Sequence, residues 1–86
     1  MTIMKLHPKH ETEPKRAYRV EAKFIFNYGN MWNITYQAVA ASPEDISVQI
    51  AETMELGGII KLPGENGQTW LIDFGLVVAV HIVSVT

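Results

Sequence analysis

The sequence predicts an α+β fold of order β-β-α-β-β, with a possible fifth strand after Gly75 and one helix packed on one face of a mostly antiparallel sheet of four to five strands. Three observations carry that expectation. Two segments of period-two alternation flank the turn composition Asn27-Tyr28-Gly29-Asn30. One apolar stripe of helical period, Ile46, Ile50 and Met54, lies between a start signal at Ser42-Pro43 and a stop at Gly57-Gly58. The chain then closes on Thr69–Thr86, its most apolar run, rich in β-branched residues. Such residues favour strand over helix.

Eighty-six residues suit one domain. Residues 1–16 are polar, lack periodicity and contain Pro8 and Pro14, so they are expected to form a flexible arm, with 17–86 as the domain. A chain this short buries only roughly 60–65% of its unfolded surface, which limits its core and favours association. With no cysteine there is no disulfide framework and no thiolate chemistry. The opening Met1-Thr2-Ile3-Met4-Lys5-Leu6 lacks an apolar stretch of signal-peptide length, and a cytoplasmic location is the expectation.

Tyr18, Val20, Ala22, Phe24 and Phe26 alternate with Arg19, Glu21, Lys23 and Ile25, predicting a strand over 17–27 with one face inward. The segment Met31–Ala40 repeats the pattern with Trp32, Ile34, Tyr36 and Ala38 inward. Paired residues share a face. Phe26 is therefore expected opposite Trp32 or Ile34, across a three-residue loop at Tyr28-Gly29-Asn30 or Gly29-Asn30-Met31. Ser42 is placed to cap a helix over 43–56, Pro43 suits its first position, and Glu44 and Asp45 favour its positive end. Those two acids also argue against an anion site there. Ile59–Leu62 and Gln68–Phe74 are then strands joined by the turn Pro63-Gly64-Glu65-Asn66-Gly67.

In the last segment strict alternation puts Val77, Ala79, His81, Val83 and Val85 on one face, and Leu76, Val78, Val80, Ile82 and Ser84 on the other. Both faces are apolar and both need cover. Asp73, Gly75 and His81 interrupt the run, which is a poor membrane span. One helix with one stripe cannot cover two faces. The surplus face is expected to meet a second copy of the chain, through Val77, Ala79, His81, Val83 and Val85 or by extension of the sheet edge.

Charge is divided unevenly. Residues 1–23 hold six bases and three acids, whereas 24–86 hold one base, Lys61, and six acids. The bases Lys9, Lys15, Arg16, Arg19 and Lys23 are the candidate contacts if the arm binds nucleic acid, because phosphate contact demands positive charge. The acidic remainder disfavours that reading, and a solvated arm is the plainer one.

Catalytic constellations are lacking. His7 and His10 supply two ligands where zinc needs three or four, so neither a metal nor any other cofactor is expected. Asp73, His81 and Trp70 form the weakest candidate set, for an enzyme or a small-ligand binder; Asp73 and His81 could be an acid–base pair if the strand bends at Gly75, but no nucleophile or oxyanion donor accompanies them. The reading that follows is a small non-enzymatic assembly or protein-interaction module that self-associates through its apolar C-terminal strand. A nucleic-acid-binding accessory protein is the alternative. The chain's brevity suits an accessory protein of a bacterium or a mobile element.

Overall fold

A computed structural model describes residues 14–86. The alternation of the first segment becomes β1 (Arg16–Phe26), with Tyr18, Val20, Ala22, Phe24 and Phe26 all buried. Antiparallel to it runs β2 (Met31–Ala40), pairing Phe24 with Trp32 and Ala22 with Ile34. The shared faces are as expected, but the register is two residues from the pairing of Phe26 with Trp32 and four from that with Ile34. The loop is still three residues long and lies one position earlier, at Asn27-Tyr28-Gly29. The Gly29 N–H donates to Phe26 C=O at 2.9 Å and the Phe26 N–H to Asn30 C=O at 3.0 Å. This is a tight turn followed by a left-handed residue, and Gly29 takes that position at φ 96°. Glycine fits there because no Cβ opposes it.

Trp32 departs from its expected place. Opposite Phe24 near the sheet's end, it meets Trp70 edge-on and is 49% exposed, while Ile34 and Tyr36 are buried.

The helix α1 (Pro43–Leu56) has the expected bounds. Ser42 is extended, as a residue before a helix should be, but its side chain makes no capping bond. Its carbonyl instead accepts the Asp45 N–H at 3.1 Å. Ile46 and Ile50 are buried, and Met54 packs beside them. Gly57 ends the helix at φ 72°.

Two short strands follow, β3 (Ile59–Pro63) and β4 (Thr69–Asp73), paired with each other only. The last strand, β5 (Val77–Val85), leaves them and pairs antiparallel with β1. The turn at Gly75 makes this possible. Asp73 Oδ1 accepts the Gly75 N–H at 2.9 Å, and Leu76 C=O accepts the Asn27 N–H at 2.8 Å, which docks the chain beside β1. The five strands thus divide into a three-stranded sheet, β2-β1-β5, and a two-stranded one, β3-β4. The helix lies against β2 and β5.

At the centre, Phe24 is fully buried. Its ring meets Phe74 edge-on at 5.7 Å and Tyr36 at 6.5 Å, tying the two sheets together. Edge-to-face pairs add to the burial energy because the positive ring edge meets the negative face. Burial holds the Tyr36 hydroxyl up at a pKa of about 12.

Phe24→Ala would leave a cavity bounded by two rings and by both sheets. It is expected to lower unfolding free energy by about 3–5 kcal/mol, read from urea denaturation. A loss typical of a surface position would mean that the two sheets do not share one core.

Candidate functional site

The outer face of the three-stranded sheet is polar along β1. Arg19 Nε donates to Glu65 in the β3–β4 turn at 2.7 Å, and its Nη1 donates to Glu21 at 3.0 Å. Ser84 Oγ on β5 donates to the second Glu21 oxygen at 2.6 Å. The Ser84 bond, with the Arg19 guanidinium second, holds the Glu21 carboxyl below the usual range. The Glu65 bond raises Arg19 in turn.

The bases singled out in the sequence are placed as follows. Lys9 lies outside the described residues, as do His7 and His10. Lys15 is exposed and Arg16 opens β1. The charge of Arg19 is met by two carboxylates. Lys23 stands between Asn33 and His81 in the sheet register.

Strict alternation fails in β5. Two register shifts occur, between Glu21 and Ala22 and between Ile25 and Phe26 on the partner strand, so Val78 and Val83 are each an extra residue. Such bulges reset which side faces in. Val77 is consequently buried in the core at 8% exposure, and Val85 packs against the core opposite Val20. Neither shares a face with His81. Ala79 and His81 keep the outer side expected of them, and the bulged Val83 is 58% exposed. Val80 and Ile82 pack inward. The face expected from the sequence therefore reduces to Ala79, His81 and Val83, with exposed Val78 added.

The two edges of this sheet are treated differently. Along β2 two of the carbonyls that turn away from β1 are met by side chains. Trp70 Nε1 donates to Thr35 C=O at 3.2 Å, and Gln49 Nε2 on α1 donates to Val39 C=O at 2.9 Å. Gly64 permits the first contact, since a Cβ there would stand 3.2 Å from Trp70 Nε1. Along β5 no described strand pairs with the outer edge. The bonds Thr86 N–H to Arg19 C=O and Asn27 N–H to Leu76 C=O show that odd-numbered residues of β1 turn toward β5. Even-numbered Phe24 and Ala22 turn toward β2. Their β5 partners, Val80 and Ile82, therefore direct their N–H and C=O groups outward. The regular stretch Ala79–Ile82, between the bulges, is thus an open strand edge without proline, lysine or acid.

A second feature was hidden in the sequence because Trp32 reads as core. Tyr28 stacks on Phe26 with centroids 5.5 Å apart, and Trp32 meets Trp70 edge-on at 6.5 Å. The four rings, with Leu76 and Asp73, line a groove of about 230 Å³ at the hairpin end of the molecule. Tyr28 is 59% exposed.

Asp73 and His81 are not brought together as an acid–base pair. Asp73 bonds the turn at Gly75, whereas His81 lies along β5 opposite Lys23. Among the described residues no group of three or more His, Cys, Asp or Glu could hold a metal ion, and no helix is long and apolar enough to cross a membrane. Comparison with protein-family models, with curated proteins and with solved structures returns no match.

Ser84→Ala should return the Glu21 pKa toward the ordinary carboxylate value, as followed by carboxyl NMR titration. Its depressed native pKa means that Glu21 stabilises the fold above the ordinary value and loses this as pH falls through the lowered one. The variant should therefore show a shallower acid dependence of stability. An unmoved Glu21 would show that Arg19 alone sets it.

Proposed function

We propose that the chain is a small non-enzymatic assembly module that associates with a second copy of itself by pairing β5 edge to edge. The carrying observation is the inequality of the two sheet edges. One is covered by Trp70 and Gln49, while the other leaves Val80 and Ile82 with outward backbone groups. A strand edge of this composition is a template for another strand. Antiparallel pairing of β5 with its own copy is self-complementary and fits two-fold symmetry. Exposed Val78 and Val83 flank the open stretch and add apolar area to the contact.

The reading places function on the assembled surface. Of the two modes expected from the sequence, a shared face and extension of the sheet edge, it takes the second, because the bulges turn Val77 and Val85 inward. A cytoplasmic location and an accessory role belong to the same reading.

Light scattering across a concentration series should show a mass rising to twice that of the chain, with hydrogen exchange at the Val80 and Ile82 amides slowing in step. Val83→Lys should keep the fold and return the mass to one chain, since it sets a charge on the apolar margin of the paired edge. Val80→Lys should unfold the subunit, because its side chain packs on the core. A single-chain mass at every concentration, with both amides exchanging freely, overturns the proposal.

A further inference from the structure

The aromatic groove at the hairpin end is lined by none of the residues of the regular stretch of β5 and has a chemistry of its own. Exposed aromatic rings around an apolar hollow need an occupant whose charge and shape suit ring faces. The groove has one charged lining residue, Asp73, and no base. Asp73 spends one oxygen, Oδ1, on the Gly75 N–H. The carboxylate remains part of the groove wall, and its charge has no ion-pair partner among the described salt bridges.

We propose that this groove binds a small organic cation bearing a methylated ammonium group. Ring faces carry negative charge density and attract a cation held over them, and indole does so best. Tyr28 and Trp32 offer rings that are about half exposed, and Trp70 forms the wall at right angles to Trp32. A methylated ammonium spreads its charge over an apolar surface, so it loses little hydration on entering such a hollow. Asp73 supplies the opposite charge. A phosphate or carboxylate ligand would meet that carboxylate with no base to offset it, and a neutral apolar ligand would leave it unanswered.

Trp70 is fixed by its bond to Thr35 C=O and by the close approach of Gly64, so this wall exists before a ligand arrives. Phe26 is held by the core and supports Tyr28 from beneath. A preformed wall reduces the ordering cost of binding.

The test is titration of the full chain with choline, followed by tryptophan fluorescence and by NMR shifts of the indole N–H groups. The parallel titrant is 3,3-dimethyl-1-butanol, which has the same shape with carbon in place of the charged nitrogen. Saturable binding of choline is expected, with the neutral analogue weaker by about ten-fold or more. Trp32→Leu, which keeps apolar bulk, and Asp73→Asn, which keeps an acceptor for the Gly75 N–H, should each weaken choline binding by about five- to ten-fold while circular dichroism stays unchanged. Equal binding of the neutral analogue overturns the proposal, because the groove would then be only apolar. So does an absence of saturation by choline in the folded protein, or unchanged affinity in Asp73→Asn. Each readout is independent of whether the chain dimerises.

Discussion

The packing of Phe24 between Tyr36 and Phe74 is the contact on which the rest depends. It joins a three-stranded sheet to a two-stranded one that shares no ladder with it. In so small a domain the apolar area is limited, and one ring in the right place does much of the joining. Because Phe74 is anchored there, the chain must turn at once at Gly75 to reach β1, and β5 takes the outer position in the sheet. Because β4 is anchored there, Trp70 reaches the far edge at Thr35. The covered edge, the open edge and the aromatic groove all follow from how the small sheet is held.

Much of this was legible in the residues. The helix bounds follow from Pro43 at one end and Gly57 at the other, signals that act within a few residues and do not depend on the fold. The core face of β1 follows from unbroken alternation. The hairpin register was misplaced because parity alone permits several pairings. Choosing among them takes the turn, and here the left-handed residue is Gly29, which ends the loop. Ser42 has the composition of a cap without making the capping bond.

The failures at the candidate site share one cause. A bulge adds a residue with no mark in composition, and two bulges in β5 reverse the alternation twice. Valine occupies both bulged positions, so nothing in a run of valines distinguishes Val78 and Val83 from their neighbours. Val77 and Val85 were thereby assigned to the wrong side. Trp32 was misread for a different reason. Its parity is correct, but whether an inward-facing side chain is buried depends on what stands over it, and here the neighbour is the partly exposed Trp70. The surplus apolar surface of the closing run was readable as an excess; the strand order that puts β5 beside β1 was not.

The cover over β2 has a consequence for the size of any assembly. A sheet with two open edges can recruit subunits at both and has no intrinsic end, which is how strand pairing becomes fibrous growth. Here Trp70 and Gln49 occupy acceptors on one side. Union through β5 would consume the open side of each copy and leave two blocked ends facing outward. Within the three-stranded sheet, the one edge left unpaired among the described residues would then act as a stoichiometric limit, making addition through that sheet self-terminating at a pair.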